Sequence, residues 1–392
     1  MSSVQDSLDW TRLRNLLKAA THHPSTSEIQ PDLEAPGMEV LISSEGRVIF
    51  NEAFGSRTLF PEVSELKAGM VFDVASLSKA LVTTVLVMKL VESGQLDLDR
   101  KVGSYLSGFS CNGKGQVKVR DLLTHSAGFA DHKKFYQEIA ELDSGPKSGI
   151  LSSRGAHDYV INHLLRAEPD YLPGSKAVYS DLGFMVLGHL IESLNCGQQL
   201  DKLAQKEIFI PLGIESSGFV NLETMKVHKI EPVTEIIAAT ADCPWRKKII
   251  VGEVHDDNCW AMGGIAGHAG LFSTALDVFK ISNTLLDCYH GKSDFISREV
   301  IREFWRKDGS VDQSTWALGW DTPSPDQSSA GQNFSSLSVG HLGYTGCSIW
   351  IDLPADISII LLTNRVHPSP ENKSIKDFRP ALHDMVRETL EV

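Results

Sequence analysis

From Leu77 to Val91 the chain is apolar nearly all round a helical wheel. A helix without a polar face is stable only inside a core. The rest of the chain must wrap it, and 392 residues (43.1 kDa) suffice for one large unit or two intimately joined domains. Gly94 marks the expected stop. At the start of the segment stand Ser76 and Lys79. Residues three apart share a helix face, about one turn from each other. An amine so placed can take the proton of the hydroxyl and make an inert Ser a nucleophile.

The same spacing occurs at three serines, Ser64, Ser76 and Ser144. Ser64 lies in a polar stretch and Ser144 in a Gly/Pro loop, so only Ser76 opens a helix. Taken alone, that match also reads as an N-cap serine with a lysine whose head reaches solvent. If the lysine is instead desolvated, burial is expected to disfavour its charged form.

A formal net charge of −13 argues against a nucleic-acid or anionic-membrane partner. The first residues lack the basic-then-apolar order of a secretory signal. The longest apolar runs fall short of a membrane span. Six cysteines (Cys111, Cys196, Cys243, Cys259, Cys288, Cys347) are scattered without a Cys-x-x-Cys pair. That pattern fits reduced thiols rather than a disulfide framework or zinc site. The expectation is a cytoplasmic protein; the oligomeric state is left open.

Residues 7–20 read as a short amphipathic helix. Between Met38 and Phe54, two β-rich runs flank Ser44-Glu-Gly46, a hairpin signature. Near the other end, 337–344, 347–353 and 357–363 read as strands, followed by a helix at about 375–390. Residues 77–220 are mostly helical in period, and 221–270 are irregular. The expected class is therefore α+β. Both chain ends join in one antiparallel sheet flanked by helices (about 1–75 and 271–392), with a large, mainly helical insertion at about 76–270. Residues 1–392 would form one catalytic unit, with a cleft between its two parts.

Two further motifs stand out. Tyr179-Ser-Asp181 follows a Pro-Gly loop and precedes an apolar helix, and it is the one Tyr-x-Asn/Asp match among seven tyrosines. His341-Leu-Gly343 sits in Gly340-His-Leu-Gly-Tyr-Thr-Gly346, on a β pattern with a strand pair after it. Together with Ser76-Leu-Ser-Lys79, these resemble the serine β-lactamase and penicillin-recognising superfamily, in particular its class C β-lactamase, D,D-peptidase and esterase branch. The resemblance extends through Val119–Gly128, Ile208–Gly218 and Gly270–Val278 and so covers most of the chain.

The resemblance implies an acyl-enzyme mechanism without a metal or organic cofactor. Ser76 would be the nucleophile and Lys79 the amine that helps deprotonate it. Tyr179 would act as general base and then general acid, its phenolate favoured by two ammonium-type neighbours. The N–H groups of Ser76 and Tyr344 would form the oxyanion hole, and Gly343 would let the strand approach the substrate. Two positions depart from the pattern. His341 replaces a permanently cationic Lys, and a His is mostly neutral at pH 7. Asp181 replaces an Asn and, when ionised, only accepts hydrogen bonds; it could hold Lys79 by an ion pair or repel an acidic substrate. Arg365 is either a replacement cation or an ordinary surface arginine.

His255, Asp256 and His268 form a further cluster that the motifs do not demand. It reads as a substrate-binding or metal-binding rim, or as a structural loop, and its spacing matches no zinc signature. The functional expectation is a serine hydrolase acting on a small ester, amide or peptide, most simply an esterase. The alternatives are a D-amino-acid peptidase, a penicillin-binding D,D-carboxypeptidase or weak β-lactamase, and a sensor that is acylated without turnover.

Overall fold

The computed structural model describes residues 8–23, 25, 33–145 and 149–391; Lys147, the last residue of the Ser144 match, lies outside them. Glu45 and Gly46 take φ of 50° and 73°. Two successive left-handed residues give the turn whose twist suits a hairpin. β1 (Gly37–Ser44) therefore folds back on β2 (Arg47–Thr58), which pairs with the short β3 (Ser64–Glu65). β4 (Phe72–Asp73), β5 (Gly218–Phe219) and β8 (Leu271–Ser273) make a small separate sheet, and β6 (Ala241–Cys243) and β7 (Lys248–Ile250) a hairpin. β9 (Val339–Leu342), β10 (Ser348–Asp352) and β11 (Ile357–Thr363) follow near the end of the chain.

β11 pairs with β1, Met38 opposite Thr363, so the two ends share one antiparallel sheet of order β3-β2-β1-β11-β10-β9. This is the expected architecture. Alternate residues of a strand face opposite sides, and both sides of this sheet are covered. Met38, Val40, Ile42, Trp350, Ile357, Ile359 and Leu361 pack against Trp10, Leu13 and Leu17 and against Phe378, Leu382 and Val386, from the helices Thr11–Ala20 and Ile375–Thr389. Leu41, Ile349, Ile351, Ile360 and Leu362 pack on the other side, against the helical part. Val339 belongs to that second side, and so does His341, two residues further along β9. Gly340 lies beneath Trp350 on the first side, where an added Cβ would come within 2.3 Å of the indole. The edge strand thus turns His341 toward the helical part. No described helix is long and apolar enough to cross a membrane.

One charged group is out of place in the sheet. Glu39 on β1 is fully buried and, among the described residues, accepts only the Gly69 N–H, at 3.1 Å from each carboxylate oxygen. Burial pushes its pKa up to about 7. The folded state thus holds the proton more tightly than the unfolded chain, so stability falls as pH rises from about 4.5 through 7. The loss is on the order of 3 kcal/mol by pH 9. Glu39→Gln keeps the acceptor and removes the charge. It should melt a few degrees above the parent at pH 9, with the gap closing at pH 5. An equal gap at both pH values would show that ionisation is not the cause.

Candidate active site

The backbone before Ser76 is held in an unusual shape. Ala75, a non-glycine residue, has φ of 47°, a conformation that persists only where the surroundings enforce it. Its N–H donates to Asp73 Oδ1 at 2.9 Å, and Asp73 Oδ2 accepts the His255 N–H at 2.6 Å. Three successive i→i−3 bonds follow: Leu77 to Val74, Ser78 to Ala75 and Lys79 to Ser76, at 3.0–3.1 Å. In such a turn residues three apart eclipse, which stacks Lys79 over Ser76 with Nζ 2.9 Å from Oγ. The chain then runs as a π-helix over Lys79–Thr83 and as an α-helix over Thr84–Glu92. The apolar helix is buried as expected, but Ser76 does not cap it. Ser76 is half-buried.

Lys79 has no exposed surface. Its three ammonium protons have three acceptors: Ser76 Oγ, Asp181 Oδ1 at 2.7 Å and the His268 carbonyl at 3.0 Å. Burial is the largest influence and works against the charge, yet Asp181 and Tyr179 together outweigh it and hold the pKa above the ordinary lysine value. The expected loss of charge does not occur, because desolvation is overcome by the paired Asp181 carboxylate together with Tyr179. Asp181 opens the helix Asp181–Leu194, whose dipole favours a carboxylate there. Burial raises its pKa, but Lys79 and His132 more than reverse this, and it stays ionised. His132 Nδ1 lies 3.8 Å from Asp181 Oδ2, which raises its pKa. Nothing in its sequence neighbourhood marks His132.

Tyr179 is fixed by His125. The Ser180 N–H donates to His125 Nδ1 at 3.1 Å and the Val178 N–H to its carbonyl at 2.9 Å. A ring nitrogen that accepts carries no proton, and burial keeps His125 neutral. Trp316, unmarked by any motif, stacks on Tyr179 at 5.8 Å and meets His125 edge-on at 4.4 Å. The Tyr179 side chain is 37% exposed, with Lys79 Nζ 4.9 Å from its ring centre. Burial pushes the phenol pKa up, Lys79 and Ser76 pull it down, and the net effect is upward. The expected phenolate is thus not favoured at rest, for Tyr179 has one ammonium neighbour rather than two.

His341 is not the second cation. Its Nδ1 lies 2.9 Å from the Leu342 carbonyl, which can only accept, so Nδ1 carries the proton. Nε2 then offers a lone pair, buried and without a protein partner among the described residues. Burial, with Lys79 nearby, brings the pKa down to about 3. Gly343 permits a different approach from the one expected. A Cβ there would sit 2.6 Å from the Val74 carbonyl, so glycine lets the end of β9 press on the turn before Ser76. Thr345 Oγ1 reinforces that contact by donating to the Asp73 carbonyl at 2.9 Å. The N–H groups of Ser76 and Tyr344, on these two adjoining segments, donate to no acceptor among the described residues.

The His255, Asp256 and His268 cluster flanks this arrangement. His268 Nε2 meets Asp256 Oδ1 at 2.9 Å, and Asp256 also caps the short helix Asp257–Ala261. The His268 side chain is therefore bound to a carboxylate, while its carbonyl serves Lys79. Gly267 makes this possible, because a Cβ there would clash with the Phe184 carbonyl at 2.2 Å. His255 stacks on Tyr344 at 5.5 Å, and burial brings its pKa down to about 4. Arg246 donates to the carbonyls of Val254 and His255, at 2.7 Å each, and so sets this loop. No group of three metal-ligating side chains occurs among the described residues. Arg365 is neither a surface arginine nor a free cation. It is 8% exposed, and its guanidinium donates to the carbonyls of Tyr344, Pro370 and Asn372.

The beta-lactamase family profile matches residues 26–382. A protein of Escherichia coli O157:H7 named putative D-alanyl-D-alanine carboxypeptidase is 30% identical over 364 residues, 86% of this chain and 80% of the relative. The N-acetylmuramyl-L-alanine amidase of Bacillus subtilis (strain 168) is 30% identical over 361 residues, again 86% and 80% of the two chains. Among solved structures, EstCE1, a hydrolase with promiscuous acyltransferase activity, superposes with a TM-score of 0.69 at 21% identity, over 97% of this chain and 100% of its own. The octameric penicillin-binding protein homologue from Pyrococcus abyssi gives 0.63 at 22% identity, over 90% and 74%. With the profile spanning most of the sequence and the sheet, helices and three motifs all in place, this chain belongs to the beta-lactamase family.

Proposed function

We propose that the protein is a serine hydrolase that forms an acyl-enzyme on Ser76 and acts on uncharged esters or small amides. The observation that carries this reading is the hydroxyl of the half-buried Ser76, 2.9 Å from a buried, fully bonded ammonium. The Ser76 proton passes to the ionised form of Tyr179, and the oxygen attacks the acyl carbon. The N–H groups of Ser76 and Tyr344 receive the negative carbonyl oxygen. Tyr179 returns the proton to the departing alcohol or amine, and water repeats the sequence on the acyl-enzyme. Lys79 stays cationic and stabilises the negative charge on Ser76 and Tyr179; this assignment replaces its expected part as a base.

The preference for uncharged substrates rests on the inventory of cations. Lys79 and His132 both face Asp181, Arg365 is bound to carbonyls, and His341 presents a lone pair. None offers itself to a substrate carboxylate, and Asp181 and Asp256 add negative charge. A second reading, a D-amino-acid peptidase or D,D-carboxypeptidase, is favoured by the names of relatives. A panel of p-nitrophenyl esters, D-Ala-D-Ala peptides and cephalosporins separates the two, and fastest turnover on the peptides would overturn the ester preference.

Ser76→Ala should abolish ester hydrolysis and the fluorophosphonate adduct seen by intact mass; an adduct that survives the substitution would place the nucleophile elsewhere. Because the resting phenol lies above its ordinary pKa, the acylation rate should climb about tenfold per pH unit through neutrality. Stopped-flow acylation tests this, and a plateau below pH 8 would remove Tyr179 as the base. Asp181→Asn breaks a buried pair, a change that typically costs roughly 3–5 kcal/mol. It should lower the melting temperature and slow acylation, whereas a large gain in cephalosporin turnover would show that Asp181 governs substrate choice.

A further inference from the structure

We propose that Arg379 is a positioning residue that aims and polarises the Tyr344 N–H, one of the two donors for the developing oxyanion. The inference rests on the reading of Ser76 as nucleophile and adds to it a residue from the far side of the sheet. Arg379 lies in the closing helix, 6% exposed. Its Nη2 donates to the Gly343 carbonyl at 3.0 Å and to the Cys347 carbonyl at 2.8 Å, and its Nε to the Gly346 carbonyl at 3.1 Å.

The Gly343 carbonyl and the Tyr344 N–H belong to one peptide unit. That unit is planar and trans, so the two groups point in opposite directions. Holding the carbonyl on Arg379 therefore directs the N–H away from the closing helix, and among the described residues it meets no acceptor. A cation on the carbonyl end also draws electron density from the nitrogen and makes its N–H a stronger donor. Arg365 binds the next carbonyl, that of Tyr344, so two consecutive carbonyls carry guanidinium groups.

A purely structural role explains this poorly. Buried cations without a carboxylate are unfavourable, and Arg379 has none among the described residues. Burial brings its pKa down to about 10, which leaves it charged at pH 7. Two turns further along the same helix, Arg387 is equally buried and meets Asp352 at 3.3 Å. It touches no carbonyl of the 343–347 turn and serves as a control.

The test is single-turnover acylation by a p-nitrophenyl ester, together with the affinity of an arylboronic acid that forms a tetrahedral adduct on Ser76. Rates are referred to folded enzyme, measured by far-UV melting at the assay temperature. Arg379→Lys cannot serve three carbonyls with the same planar fork. Its maximal acylation rate and boronate affinity should fall together by roughly 10–100-fold, with ground-state ester binding unchanged. Arg379→Gln, which keeps a single donor nitrogen and no charge, should fall at least as far and gives a second reading if the lysine variant does not fold. Arg387→Lys should lose stability and keep the parental rate. A folded Arg379 variant that acylates at the parental rate, or loses ground-state binding alone, overturns the proposal. If the parent itself takes up no fluorophosphonate, the reading of Ser76 has failed first.

Discussion

A lysine ammonium with no access to water governs the construction of this site. An unpaired charge in such a place would be severely destabilising. Lys79 therefore needs three acceptors in tetrahedral disposition, and they come from three parts of the chain. Ser76 is three residues away, Asp181 is 102 and the His268 carbonyl is 189. Satisfying one cation thus brings the Ser76 turn, the start of the Asp181–Leu194 helix and the Gly267–His268 segment to one point. Tyr179 arrives with Asp181 because only one residue separates them.

Close backbone approach makes this convergence sterically feasible. Gly267 lets its segment lie on the carbonyl of Phe184, and Gly343 lets β9 lie on that of Val74. The polar network behind the site is equally constrained. Asp73 ties the Ala75 turn to the His255 loop, Arg246 holds that loop by its carbonyls, and Arg365 and Arg379 hold the turn after β9. In the proposed mechanism, such rigid support would keep the reacting groups in place without reorganisation when charge develops.

Much of this was legible in advance. The hairpin at Glu45-Gly46, the three late strands and the buried helix after Ser76 follow from turn chemistry and periodicity. Ser76, Lys79, Tyr179 and Asp181 were found because short motifs preserve local geometry. Trp316, His132, Arg246 and Arg379 were not, since each acts through a partner remote in sequence and lies in no motif. Arg365 is visible in the sequence as a cation, but that its donors are engaged by carbonyls depends on a loop whose path no pattern specifies.

The amino-acid sequence by itself determined which residue types enter the site and which local shapes carry them, because turns and helix faces depend on neighbours a few positions apart. Protonation was decided only in three dimensions. Lys79 keeps its charge, Tyr179 keeps its proton at rest and His341 presents a lone pair, and each state follows from burial balanced against a charge or carbonyl a few ångströms away. Those distances exist only once the ends of the chain have met in one sheet and the helical part has closed over it.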